Sequence, residues 1–229
     1  MALLGHSAWL RISCADMDAS CRAWHGIGFM VVDDASPSIR MTDGQIAIEL
    51  IPGAPQHPTL IYGNAATART AQQCKDRGAP STVVDGVVTF ERIGELSVLA
   101  VPLPVGSVEH PDGDQNPVLG FVDNLIVQVD DLDAARRRCE AMGLLVLDQT
   151  HGAYPSINVT DAMMTISLRT MNVAGLPIEY SADIDHDVVD DLRSIPGVHC
   201  HAIDDADGEP MLIRLTMPEG TVILVGRDD

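Results

Sequence analysis

Short apolar runs recur along the chain, each followed by a polar cap, a helical period and a glycine. The run "SAWLRISC" predicts a strand. Asp16 or Asp18 then stands where a helix is capped, and Gly26 and Gly28 where it ends. Further short strands close the segment at "GQIAIELIP". A second segment opens with "HPTLIYGN", takes Asn64 as its helix cap and Gly78 as its stop, and closes at "ELSVLAVPLP". The third opens with "NLIVQVDD", with Asp131 as cap and Gly143 as stop, and ends in "AMMTISLRT". The fourth runs from "LPIEYSAD" to "GTVILVGRDD", with its helix, the shortest, between Asp185 and Pro196.

Each segment therefore predicts the order βαβββ, and the glycine stops recur roughly every 50 to 65 residues, the scale of a duplicated supersecondary unit. The expected modules are 1–52, 57–104, 118–170 and 175–229. Tight connections, "GAPQ" and "NVAG", join the first to the second and the third to the fourth. The polar, Gly- and Pro-rich stretch 105–117 reads as a linker, so the expected domains are 1–104 and 118–229.

Composition narrows the function. In 229 residues, 46% apolar and 21% charged positions describe a globular protein with a core. A formal charge of −19 excludes phosphate neutralisation, hence nucleic acid. No stretch reaches the roughly 20 apolar residues of a membrane helix, and the N-terminus predicts no secretion signal. Five scattered cysteines without a CxxC pair predict a reduced, cytoplasmic protein. Two Trp, three Tyr and three Phe leave little for a stacking pocket and favour a small, less aromatic ligand. No GxGxxG, P-loop, GxSxG or HExxH occurs, which removes nucleotide-phosphate and hydrolase chemistry.

Four βαβββ segments in this order, and the opening "LRISCADMDASCRAWHGIGF", resemble the vicinal oxygen chelate superfamily, which includes glyoxalase I, the bleomycin-resistance proteins and the extradiol dioxygenases. The resemblance implies an α+β fold of paired βαβββ modules forming two open-barrel domains, each cupped around a small molecule. It leaves open whether modules pair one with two and three with four, or one with four and two with three. A homodimer is compatible with it.

In metal-using members, ligands come from the start of a first strand and the middle of a last strand. His57 of "HPTLIYGN" and Glu49 of "IAIELIP" take two such places, for a divalent Zn, Ni, Mn or Fe ion. At the first strand Ser7 takes the ligand place, and His6 is one residue off. In the second domain Asn124 takes the histidine place and Ser167 the glutamate place. No set is complete, so the expected function is small-molecule binding without a complete metal site and without a cofactor. The alternative is a divalent-metal-dependent lyase, isomerase or dioxygenase around Glu49 and His57. A metal-free enzyme would use Glu49 as a general base.

Arg11 and Gln128, on first strands, and Arg169, two residues beyond Ser167, are expected on the ligand side, where a guanidinium orients a carboxylate or carbonyl. His199 and His201 read as a polar strand edge. His151 and Tyr154 stand in a loop that could rim the second cavity. Cys14 and Cys21 flank a helix start, either as packed thiols or as a stabilised thiolate. Arg136, Arg137 and Arg138 read as a solvated helix face with local ion pairs.

Overall fold

A computed structural model describes residues 3–34, 37–54, 56–103, 118–171 and 175–228. The linker read at 105–117 lies outside these residues, as do parts of both tight connections. Each module folds as βαβββ. The first holds β1 (Ser7–Cys14), α1 (Met17–Gly26), β2 (Met30–Asp33), β3 (Ile39–Thr42) and β4 (Ala47–Pro52). The second holds β5 (Thr59–Asn64), α2 (Thr67–Asp76), β6 (Ser81–Val84), β7 (Val87–Phe90) and β8 (Ser97–Pro102). The third comprises β9 (Phe121–Gln128), α3 (Leu132–Ala141), β10 (Leu145–Thr150), β11 (Ser156–Thr160) and β12 (Thr165–Arg169). The fourth comprises β13 (Ile178–Ala182), α4 (His186–Ser194), β14 (His199–Asp204), β15 (Pro210–Thr216) and β16 (Val222–Arg227).

The fold is α+β, with two open, mixed sheets of eight strands. Their orders are β2-β3-β4-β1-β5-β8-β7-β6 and β10-β11-β12-β9-β13-β16-β15-β14. The same order appears twice, as a duplicated sequence requires. Packing divides the chain along another line. One compact unit gathers Met1–Leu10, His57–Glu109 and Asn124–Leu176, and the other Arg11–Gln56, His110–Asp123 and Pro177–Asp229. Hydrogen bonding thus groups modules one with two and three with four, while packing groups two with three and one with four.

The caps follow the sequence at three helices. Asp16, Asp131 and Asp185 accept from Ala19 N, Ala134 N and Val188 N, each at 2.9 Å. Helix α4, at nine residues, is the shortest. Helix α2 departs from expectation, because Ala66 is its N-cap and makes no side-chain cap bond. Asn64 instead ends β5 and ties that strand down. Its Oδ1 accepts from Ala66 N at 2.7 Å, and its Nδ2 donates to Leu4 O at 2.7 Å and Thr70 Oγ1 at 2.8 Å. Each helix turns small or apolar side chains inward, as Ser20, Ala23 and Trp24 on α1 and Ala135 and Cys139 on α3.

Within each unit the two modules are joined in corresponding ways. In the unit of modules one and four, the β3–β4 turn carries Asp43, 2% exposed. Its Oδ1 accepts from Gln45 N and Ile46 N at 2.9 Å, which fixes the turn. Its Oδ2 accepts from the hydroxyl of Tyr180 on β13 at 2.8 Å. Burial, then the Asp43 charge, hold the Tyr180 phenol well above its ordinary pKa, so it stays a donor. A second link runs from α1 to the β15–β16 turn. There Ser20 Oγ and Trp24 Nε1 donate to the two oxygens of buried Glu219, at 2.7 and 3.0 Å.

In the unit of modules two and three, Arg138 on α3 does the corresponding work at the β7–β8 turn. It donates to Arg92 O at 2.7 Å and pairs with Glu91 at 3.1 Å. Arg136 makes the local pair, with Asp133 at 3.7 Å. Arg138 is therefore a packing residue and not part of a purely solvated face. Gly94, in the same turn, has φ +55°, and a Cβ there would lie 2.0 Å from Gln128 O, so only glycine fits.

Removing Asp43 strands a buried phenol and two backbone N–H groups. We expect Asp43→Ala to cost about 3 kcal/mol and Tyr180→Phe about 2 kcal/mol in urea unfolding. Equal stability of Tyr180→Phe and wild type would show that this link is not supporting the unit.

Candidate functional site

The residues at the chelate positions fall in different packed units. Glu49 lies in the unit of modules one and four, and His57 in the unit of modules two and three. Each has taken a charged partner of its own. Arg11 Nε donates to Glu49 Oε2 at 2.8 Å, with the Glu49 side chain 7% exposed. His57 Nδ1 stands 3.2 Å from Glu95 Oε2 at a half-exposed position. Among the described residues no three His, Cys, Asp or Glu side chains group as a metal site. A carboxylate held by a guanidinium and an imidazole paired with a glutamate fall short of a chelated divalent ion, for which three or four protein ligands are usual. His6 lies in the same unit as His57 and faces a cavity with other partners, described below.

The second-domain candidates do come together. Parallel pairing sets Ser167 beside Ile126 and Arg169 beside Gln128, and antiparallel pairing sets Asn158 beside Ser167 and Ser156 beside Arg169. Residues two apart on a strand share a face. One face of β9, β11 and β12 thus carries Asn124, Gln128, Ser156, Asn158, Ser167 and Arg169, with the buried Ile126 among them. The other face carries Leu125, Val127, Ile157, Val159, Ile166 and Leu168, all buried. Arg169 Nε donates to Ser167 Oγ at 3.0 Å, which orients the guanidinium along the sheet.

Asn158 was not legible as a site residue, because its place beside Ser167 depends on strand register. Its Nδ2 donates to Asp148 Oδ1 at 3.0 Å, which fixes the amide. Its Oδ1 is buried and accepts no hydrogen bond among the described residues. A buried acceptor left in this state calls for a donor. Arg11 belongs to the other unit, where Glu49 pairs in register with Arg40. His199 and His201 are exposed on β14, as a polar strand edge requires. His151 and Tyr154 are exposed in the β10–β11 connection.

The unit of modules two and three also contains the counterpart of the Asp43–Tyr180 link, in altered form. Asp161 holds the β11–β12 turn through Oδ1, which accepts from Met163 N at 2.9 Å and Met164 N at 3.2 Å. Tyr62 on β5 faces it, fully buried. Burial, then the Asp161 charge, raise the Tyr62 pKa well above its ordinary value. Here the contact is looser: Tyr62 and Asp161 interact as a hydrogen-bonding side-chain pair, but Tyr62 Oη and Asp161 Oδ2 do not reach the geometry of the Tyr180–Asp43 bond. Asp161 also lines a cavity of about 500 Å³, with Gly5, His6, Gly143, Leu145 and Met163 among its other walls.

The thiols are packed groups. Burial pushes Cys14 and Cys74 up to about 11 and Cys139 up to about 12. Cys21 is also raised, by burial and then by Asp18, so the start of α1 stabilises no thiolate.

The fold is shared with extradiol dioxygenases. A catechol 2,3-dioxygenase structure matches with a TM-score of 0.62 at 16% identity, over 99% of this chain and 87% of the other. A homoprotocatechuate 2,3-dioxygenase variant from B. fuscum gives 0.67 at 13%, over 98% and 71%. The anaerobic substrate complex of the Brevibacterium fuscum enzyme with 3,4-dihydroxyphenylacetate gives 0.65 at 14%, over 98% and 81%. No protein-family model and no curated protein matches the sequence.

Two outcomes check this geometry. Tyr62→Phe removes the hydroxyl that faces Asp161 in a looser contact, so it should cost about 1 kcal/mol of unfolding stability, less than Tyr180→Phe. Cys14, Cys74 and Cys139 should resist a thiol reagent at pH 8 until the chain is unfolded in urea. A folded thiol pKa above the free value of 9.0 adds stability that is present below about pH 9. That contribution is lost as pH rises through the folded values of about 11 and 12. Rapid native labelling of those three thiols would contradict their burial.

Proposed function

We propose that the chain binds a small, oxygen-rich molecule carrying a carboxylate and a hydroxyl on the polar face of β9, β11 and β12, without a complete chelate site. The buried, unpartnered Asn158 Oδ1 carries this reading, because it asks for a donor such as a ligand hydroxyl. The Arg169 guanidinium supplies the opposite charge for a carboxylate. Gln128, Asn124 and Ser167 add polar groups on the same face. A structure of this fold holds 3,4-dihydroxyphenylacetate, which has both kinds of group. The scarcity of aromatic residues favours a smaller, non-aromatic hydroxy acid here.

Binding without chemistry is the role, sequestration of a metabolite or toxic compound as in the resistance-type proteins. The five free cysteines support a reducing, cytoplasmic location. Among the described residues no helix is long and apolar enough to cross a membrane.

Calorimetric titration with malate and with 3,4-dihydroxyphenylacetate, with and without Mn, Fe, Ni or Zn, tests the reading. We expect saturable binding independent of metal, weakened about tenfold or more by Arg169→Ala and by Asn158→Ala. Binding or turnover that appears only with metal and is lost in Glu49→Ala would favour the alternative of a divalent-metal-dependent lyase, isomerase or dioxygenase around Glu49 and His57. Binding of neither molecule under any condition would overturn the hydroxy-acid assignment.

A further inference from the structure

The polar face of module three is built as two cross-strand rows. In one, register sets Asp148 beside Asn158 and Asn158 beside Ser167. In the other it sets Thr150 beside Ser156 and Ser156 beside Arg169. Both rows begin on β10, the edge strand of the sheet, and each has a side-chain hydrogen bond at that end. Thr150 Oγ1 and Ser156 Oγ stand 2.8 Å apart, and Asn158 Nδ2 donates to Asp148 Oδ1 at 3.0 Å. Arg169 Nε ties the rows together through its bond to Ser167 Oγ at 3.0 Å.

The two outer bonds differ in kind. Two hydroxyls exchange the roles of donor and acceptor freely, so the Thr150–Ser156 pair imposes no polarity. A carboxylate only accepts, so the end of the Asn158 amide that faces Asp148 must be its NH2. With the amide turned over, two oxygens would meet, one of them charged, and the bond would become a repulsion. Asp148 therefore decides which amide atom is left for other partners. That atom is Oδ1, buried and without a hydrogen-bond partner among the described residues. An acceptor held in this way suits a hydroxyl and not a keto oxygen, because two acceptors leave each other unsatisfied. Arg169 serves the carboxylate of a hydroxy acid and of a keto acid alike, so discrimination between them falls to the amide.

Module one shows that the edge aspartate belongs to the scaffold and its effect to its neighbour. Asp33 stands beside Arg40 after a register shift in β2, as Asp148 stands beside Asn158 after a register shift in β10. A guanidinium donates from every nitrogen, so an aspartate beside it selects no orientation. An amide has one donor end and one acceptor end, and the same aspartate then sets its polarity.

We infer that Asp148 is a positioning residue that sets the specificity of this face: by holding the Asn158 amide with Oδ1 as the remaining acceptor, it selects a 2-hydroxy acid over the matching 2-keto acid. The inference rests on the hydroxy-acid reading of the face and adds the choice between alcohol and ketone.

Calorimetric titration of the full chain with malate and freshly dissolved oxaloacetate tests the assignment. Wild type should bind malate about tenfold or more tightly than oxaloacetate. Asp148 is exposed on an edge strand, so its replacement leaves the core intact. In Asp148→Ala the amide is released and can turn Nδ2 toward a keto oxygen. The preference should then fall to about threefold or less, through weaker malate and tighter oxaloacetate binding. Asp148→Asn, which pairs with either end of the amide, should lose the preference in the same way. A merely structural role would weaken both acids alike, so an unchanged ratio in both variants overturns the assignment. Equal affinity for the two acids in wild type overturns it as well. Binding of neither acid by wild type overturns the hydroxy-acid reading itself, and the role of Asp148 falls with it.

Discussion

A buried tyrosine facing the carboxylate of a hairpin turn recurs in both packed units, as a closed bond from Tyr180 to Asp43 and as a looser contact of Tyr62 with Asp161. The turn needs the aspartate, because Asp43 and Asp161 each hold two backbone N–H groups that would otherwise be stranded inside. The carboxylate in turn needs a donor, because a buried charge with a free oxygen is costly. A tyrosine from the neighbouring module meets that need without adding a second charge. Local turn geometry and long-range packing are thus settled by one side chain. The helix-to-turn links, Glu219 with Ser20 and Trp24 and Arg138 with Glu91 and Arg92, then hold the other end of each module pair.

The two links show how far a duplicated scaffold can vary one contact. In the unit of modules one and four, the polar groups of the link satisfy one another. In the unit of modules two and three the same groups face each other in a looser contact, and Asp161 also lines a cavity. The hydroxy-acid face arises differently. Strand register brings polar residues of three strands to one side of a sheet whose other side is apolar.

Much of the fold was legible because it repeats. Aspartate caps, glycine stops and short β-branched runs each follow from local chemistry, and four occurrences in the same order fix the module boundaries. Asn64 misled as a cap because a side chain able to bond a helix N-terminus can equally bond a neighbouring strand, and only packing chooses. The site was less legible. Asn124, Gln128, Ser167 and Arg169 share a face through the period of two, which sequence reveals. Glu49 and His57 looked like partners because eight residues and a tight turn separate them. Their separation into different units is a matter of packing, on which local sequence is silent. Asp43, Asp161, Tyr62 and Tyr180 carry no recognised motif, although "MTDGQI" and "VTDAMM" stand at matching places in modules one and three.

Hydrogen bonding and packing divide this chain along different lines, and that has a consequence for how its sequence can drift. Each sheet is continuous in sequence, so a duplicated gene half encodes one whole sheet. Each packed unit draws a hairpin from one half and a tyrosine strand from the other. A change at the Asp43 turn is therefore answered near Tyr180, and a change at the Asp161 turn near Tyr62. The two halves are bound to a common history, and neither can be exchanged for a homologous half unless its counterpart's turns and strands come with it.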